Sequence, residues 1–350
     1  MKQNLLIIAQ KVDQNDDHRG FFIDWLKEFG KNFKEVNVIT LATGTHNFPS
    51  NIRIYSLGKE RGDSKLIQAV RFYKYLFHFV PNADGIFAHA SPIFVIASWP
   101  AAFLFRKKIV LWYLHRSVTW KLKLAEKMCY KIVTASKESL GFKSDKVFET
   151  GHGINVGMFK TERSWESKAV LNLLTVGRVT PIKNLETLIK AVSILRDKEI
   201  KFHLKIVGQP AMPNDYAYQE KLKQTVQDSG LSDEVEFVGF VPYSELSRYY
   251  KEADVFVNLL SRGGIDKALL EAMASGCLVL TSNTIAGKYL GHYSNRLIFK
   301  HGDPKNLSEN LLALKKLTNE DKIDVSTFLT RSVSNTHRLE NVITKITSLL

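Results

Sequence analysis

Short, unbroken apolar runs alternate along this chain with stretches whose apolar residues recur every three or four positions. The first run is LLIIAQ (5–10), followed by the helical pattern HRGFFIDWLKEFGK (18–31) and the runs EVNVITL (35–41) and IRIYSLG (52–58). A helix then reads over 64–80, a strand over GIFAHA (85–90), an apolar helix after Ser91-Pro92, and a strand over KIVLWYLH (108–115). Helix TWKLKLAEKMCY (119–130) and strands KIVTAS (131–136) and KVFETG (146–151) complete this half. The strands are apolar throughout rather than alternating, which places them in a sheet buried on both faces. Their alternation with helices predicts parallel order and a doubly wound α/β domain.

The pattern restarts after a polar, glycine-containing stretch, GHGINVGMFKTERSWESKA. Strands LNLLTVGR (171–178), KFHLKIVG (201–208), VEFVGF (235–240), VFVNLL (255–260) and LVLTSN (278–283) are separated by helices over 184–197, 218–230, 244–253 and 267–276. The expectation is two Rossmann-like doubly wound domains, 1–158 and 159–330, facing a central cleft. Such sheets take ligands at the carboxyl ends of their strands, and a cleft between domains is a usual small-molecule site. The remaining residues, 331–350, carry an amphipathic stripe of Leu339, Val342, Ile343, Ile346 and Leu349, and are expected to form a helix packing back toward the first domain.

Composition changes this picture in two places. Residues 85–105 carry no charge and are long enough to cross a bilayer; Pro92 and Pro100 interrupt them, so a buried strand followed by a helix is expected instead. The net charge of +14 is uneven: up to residue 158 there are 23 Lys and Arg against 13 Asp and Glu, and beyond it 26 against 22. The excess on the first half predicts an anionic partner for that half. Cys129 and Cys277 fit no metal spacing and read as packed thiols in a reducing, cytoplasmic setting. The N-terminal apolar run is too short for a signal peptide.

Two motifs carry chemistry. In VGRVTPIKN (176–184) a strand ends at Gly177, Arg178 follows, and Lys183 precedes a helix. Cations at a strand's carboxyl end beside a helix N-terminus suit a diphosphate, to which the helix adds partial positive charge and N–H groups. Arg grips two phosphate oxygens and Lys acts as a point charge. In SRGGIDKALLEAMASG (261–276) Gly263 and Gly264 allow close backbone approach to a ligand. Asp266 is placed to cap the helix opening at Lys267, and Glu271, one turn in, to accept hydrogen bonds from ribose hydroxyls.

Both motifs, in this order, resemble the nucleotide-binding half of retaining GT-B glycosyltransferases, specifically glycosyltransferase family 4. The likeness is to that family's GR…K signature and to its E-x7-E region ending in LLEAMA-G, and it covers about 170–285. It implies transfer of a sugar from a nucleotide-sugar donor to a glycan or lipid-linked acceptor, with retention, as in cell-surface polysaccharide or glycolipid synthesis. Arg178 and Lys183 would stabilise the leaving diphosphate, and Glu271 would bind ribose. Backbone N–H groups of Gly264, Ile265, Asp266, Lys267 and Ala268 would contact the donor, and Val241 the base. No cofactor or metal is implied. The departure is Gly263, where the family usually has its first glutamate. That disfavours a glutamyl intermediate and leaves a front-face mechanism, in which the leaving phosphate takes the acceptor's proton. Asp266 either replaces the lost sugar contact or only caps the helix.

In the first half Gly20, Asp16 and Asp17 lie on the loop that the resemblance places toward the acceptor, and His115, ending a strand, is the candidate cleft histidine. The lysine-rich stretch VTWKLKLAEKMCYK after His115 carries Lys121, Lys123, Lys127 and Lys131 beside Trp120, Leu122, Leu124 and Met128, which predicts peripheral binding to an anionic membrane surface at the inner face of the cell membrane. Two alternatives share the fold: a sugar-nucleotide epimerase, and a catalytically degenerate sugar-nucleotide-binding protein. A dehydrogenase lacks its G-x-G-x-x-G after the first strand, and nothing but charge speaks for nucleic acid.

Overall fold

The computed structural model describes residues 2–165, 169–261 and 263–350. Part of the linker stretch, 166–168, lies outside the described residues. In chain order the elements are β1 (Lys2–Val12), α1 (Phe22–Asn32), β2 (Phe33–Thr43), β3 (Ile52–Ser56), α2 (Lys65–Phe79), β4 (Gly85–His89), α3 (Pro92–Leu104), β5 (Lys108–Trp112), α4 (Trp120–Met128), β6 (Lys131–Thr134) and β7 (Val147–Glu149). Then follow α5 (Val156–Phe159), β8 (Leu171–Val176), α6 (Leu185–Asp197), β9 (Phe202–Val207), α7 (Pro213–Asp228), β10 (Val235–Gly239), α8 (Leu246–Glu252), β11 (Val255–Asn258), α9 (Lys267–Ala274) and β12 (Leu278–Thr281). The chain ends with α10 (Gly287–Leu290), α11 (Ser294–Leu297), α12 (Pro304–Lys315), α13 (Asn319–Thr336) and α14 (Leu339–Leu349).

Two compact units result: residues 1–155 with 242–244 and 337–350, and residues 156–241 with 245–336. In the first, seven parallel strands run in the order β3-β2-β1-β4-β5-β6-β7. Alternate residues of β1 serve opposite faces, as the pleat requires. Leu5 and Ile7 pack with α1 and α14, while Leu6 and Ile8 pack with the layer of α2, α3 and α4. The uncharged 85–105 stretch divides into β4, wholly buried, and α3, with Pro100 inside the helix. No helix among the described residues is long and apolar enough to cross a membrane.

The segment 331–350 is not one helix. Residues 331–336 finish α13 in the second unit, the chain turns at His337 and Arg338, and α14 then seats Leu339, Val342, Ile343 and Ile346 in the core of the first. Backbone bonds between Ile154 and residues 337 and 339 tie this return in place. Residues 284–336, where the apolar pattern alone marks no strand, supply four helices of the second unit.

The second unit's sheet is parallel throughout, in the order β10-β9-β8-β11-β12. Chain order reverses between β8 and β11, so the loops leaving their carboxyl ends diverge and open a crevice.

Candidate functional site

Both sequence motifs sit at that reversal point. The first leaves β8. Gly177 (φ 141°) turns the chain out of the strand, and it packs so closely on Gly208 that a Cβ at 208 would lie 2.0 Å from the Gly177 carbonyl oxygen. A single 3-10 turn, Pro181–Lys183, then carries Lys183 to the mouth of α6. The first N–H of α6 is not open to a ligand, because Leu185 N donates to the Tyr218 hydroxyl at 3.1 Å. That hydroxyl in turn donates to Glu186 Oε2 at 2.5 Å. Arg178 is exposed. Nearby, burial opposes the charge on Asp215, but hydrogen bonds from the Thr180 hydroxyl and from the Met212 and Ala211 N–H groups, with the Arg178 charge, hold its carboxyl below the usual value.

The second motif leaves β11. Gly263 takes φ 102°, a conformation that favours glycine, and faces open space: a Cβ there would meet nothing within 4 Å. Asp266 caps α9, its Oδ1 accepting from Ala268 N at 3.3 Å. Its other oxygen, Oδ2, pairs with Lys183 Nζ at 2.5 Å and accepts from Asn258 Nδ2 at 2.9 Å. Asp266 is therefore both cap and ion-pair partner, and it is what joins the two motifs. Burial would raise its pKa, but the Lys183 charge and hydrogen bond outweigh that and hold the carboxyl below its ordinary value.

A chain of buried polar groups supports this pair. Asn258 Oδ1 accepts from the Thr281 hydroxyl at 3.0 Å, and Thr281 Oγ1 accepts from Asn283 N at 3.1 Å. Asn283 Nδ2 donates to the Gly264 carbonyl at 3.1 Å, which pins the glycine loop. All three side chains are buried. The sequence reading missed them, although each is a polar residue closing or following an otherwise apolar strand.

Glu271 is buried, not an exposed helix charge. Lys267, one turn back, pairs with Oε1, and the Tyr250 hydroxyl donates to Oε2 at 2.9 Å. An ionised carboxylate has about four acceptor sites, so acceptor capacity remains for a diol. Ile265 and Ala268 are buried under the loop, and Val241 is buried two residues beyond β10.

The acceptor-side candidates fall in the first unit. Asp16 is committed to its own loop: Oδ1 accepts from His18 N at 3.0 Å and Arg19 N at 2.8 Å, and Oδ2 pairs with Lys11 at 2.9 Å. Asp17 lies 3.5 Å from the His18 ring. Gly20 closes the same loop, donating to the Asp16 carbonyl at 3.0 Å. His115 is exposed on the loop after β5, with its ring 5.5 Å from that of Tyr113. A histidine the sequence reading passed over, His89, ends β4 where the first sheet's strand order reverses. It is buried against Phe22, ring centroids 4.0 Å apart. Its Nε2 has no hydrogen-bond partner among the described residues. Burial, with the Arg19 charge, drives its pKa down to about 3.

Two parallel Rossmann-like units, one with paired cations and carboxylates at its reversal point, define a GT-B protein. Residues 162–323, spanning the second unit but for its two ends, match the family model described as Glycosyl transferases group 1. Among curated relatives it is 30% identical over 185 residues to the amylovoran biosynthesis glycosyltransferase AmsK of Erwinia amylovora, covering 51% of this chain and 44% of the relative. It is 33% identical over 121 residues to mannosylfructose-phosphate synthase of Agrobacterium fabrum, covering 34% of this chain and 26% of the relative. The matches span less than half the length of these relatives. Across 98% of both chains the fold superposes on Anabaena HepE in complex with UDP and glucose, with a TM-score of 0.75 at 15% identity.

Proposed function

We propose that this chain is a retaining glycosyltransferase of family 4 type, moving a sugar from a nucleotide-sugar donor to a glycan or lipid-linked acceptor in polysaccharide synthesis. The observation that carries the reading is the Lys183–Asp266–Asn258 network joining both donor motifs at the reversal point of the second sheet. The AmsK and HepE likenesses support it by name and by bound nucleotide. In this reading Arg178 and Lys183 stabilise the leaving diphosphate, which in a front-face reaction accepts the acceptor hydroxyl's proton. Glu271 receives the ribose hydroxyls, and backbone groups of Gly264–Ala268 and Val241 hold the sugar, phosphate and base. Asp266 fixes Lys183 rather than acting as a nucleophile. His115 serves the acceptor side, no metal takes part, and the basic first unit rests on an anionic membrane.

The test is incubation of the purified chain with a panel of isotopically labelled sugar nucleotides, with and without lipid-linked acceptors. Transfer with retained anomeric configuration, and slow hydrolysis without acceptor, is the expected result. Epimerised donor would assign a different enzyme on the same fold, and tight binding with neither hydrolysis nor transfer would assign a binding protein.

A further inference from the structure

The apolar surface left exposed by this chain is concentrated rather than scattered. Of the 16 large hydrophobic side chains exposed among the described residues, 11 fall between residues 66 and 130. Those residues belong to α2, α3, α4 and their flanking loops, and the three helices form one layer on the same face of the first sheet. The most regular part is α2. Only Phe72 and Leu76 of this helix are buried. Leu66, Val70, Tyr73 and Phe77, exposed by 74, 62, 41 and 45%, recur at four-, three- and four-residue intervals and so form a single straight stripe. Side chains on that stripe are turned away from the sheet, and the described residues leave them exposed.

The neighbouring helices continue the same surface. The end of α3 exposes Phe103 and Leu104, by 70 and 65%, and runs directly into Arg106, Lys107 and Lys108. A shallow groove of about 500 Å³ at this end is lined by Trp99, Phe103, Leu104 and Met128 together with Arg106 and Lys107. At the start of α4 Trp120 is 68% exposed, and Lys121, Lys123 and Lys127 are exposed behind it. From residue 65 to 131 there are 11 Lys and Arg and only two acidic residues, Asp84 and Glu126. Asp84 is already engaged by the backbone N–H groups of Gln3 and Asn4. Exposed contiguous apolar surface marks an interaction site, and this one lies in a span of net positive charge, even with Arg71 taken up by its ion pair with Asp63.

We propose that the outer face of α2, α3 and α4 is the surface by which the chain docks on an anionic lipid bilayer. It lies in the interface plane, with the α2 stripe, the α3 tip and Trp120 buried among the acyl-chain boundary. Arg106, Lys107 and the α4 lysines meet the headgroup phosphates. Apolar burial and charge act together here, as interfacial helices require. A like-charged second copy is disfavoured at this face by its own charge, and a bilayer of anionic lipid complements it. The inference rests on the membrane reading of the previous subsection and adds to it which residues make the contact.

Vesicle sedimentation separates the two. The probe is phosphatidylglycerol mixed with phosphatidylcholine, against phosphatidylcholine alone. The chain is expected to sediment with the first and not the second, more weakly as salt rises. Leu66→Ser, Val70→Ser and Phe77→Ser together are expected to weaken binding at least about tenfold at low salt without lowering the melting temperature, since all three side chains are exposed. Lys121→Ala, Lys123→Ala and Lys127→Ala are each expected to weaken it about fivefold and to reduce its salt dependence. Binding of the wild type that the serine variant retains in full would overturn the assigned face while leaving membrane association standing. Absence of wild-type binding to anionic vesicles would overturn both. A wild type that sediments as a dimer in solution, and a serine variant that is monomeric, would make this face an interface between copies instead.

Discussion

Removing the Asp266 carboxylate is the most informative single perturbation of the donor motifs. In Asp266→Ala three groups lose their partner at once: Lys183 Nζ, Asn258 Nδ2 and Ala268 N. Loss of the helix cap costs about 1 kcal/mol. Leaving one member of a fully buried ion pair alone costs about 3–5 kcal/mol, and less here, because the Lys183 and Asp266 side chains retain 19 and 14% exposure. A total of about 3 kcal/mol follows, which at roughly 2–4 °C per kcal/mol lowers the melting of the second unit by about 6–12 °C. Asp266→Asn separates cap from charge, since asparagine caps a helix as well as aspartate does. Its melting temperature should fall much less. Its turnover should still drop about tenfold to a hundredfold, with donor KM unchanged or lower, because Lys183 is no longer held in place. In a Lys183→Ala background, itself slowed by about 3 kcal/mol in the barrier, Asp266→Asn should add almost nothing. Labelled-donor transfer kinetics on the four proteins of this cycle measure the coupling. Two effects that simply add, or full turnover in Asp266→Asn, would show that Asp266 does not act through Lys183.

Gly263→Glu should lower stability by about 1–2 kcal/mol from backbone strain at φ 102°, not from a clash, and should shift donor-sugar preference without creating activity; melting curves and a donor panel measure both. Glu271→Gln should weaken donor binding about tenfold and leave acceptor KM unchanged, as read by donor titration, while Tyr250→Phe, which removes the hydrogen bond to Oε2, should cost about 1 kcal/mol of stability. His89 is neutral when folded and its pKa lies at about 3 against an ordinary 6.5, so the unfolded chain takes up the proton first as pH falls. Its contribution to stability is complete above pH 6.5 and is lost toward pH 3 at about 1.4 kcal/mol per unit, a slope that His89→Phe should flatten in melting-temperature profiles.

The succession of strands and helices along the chain and the donor motifs were legible in the sequence because both are local. A buried parallel strand is a continuous apolar run whatever it packs on, as in VFVN and LVLT, every residue of which is buried. Arg178, Lys183, Asp266 and Glu271 announce themselves by position relative to a strand end or a helix start. Gly263 is equally plain as a departure, since only the residue type at one spacing is needed to see it. What the sequence left undecided were pairings between residues far apart in the chain. Lys183 and Asp266 meet only because β8 and β11 are neighbours, an order set by sheet topology rather than by any spacing. Asn258, Thr281 and Asn283 read as strand-end polar residues until adjacency makes them one network. Asp16 reads as available until its loop closes on Lys11 and two backbone N–H groups. The tail's apolar stripe predicts a packed helix, but the break at His337 depends on which core has room for it. Periodicity reports that a face must be covered; only tertiary structure decides by what, and on α2 the described residues leave the stripe exposed.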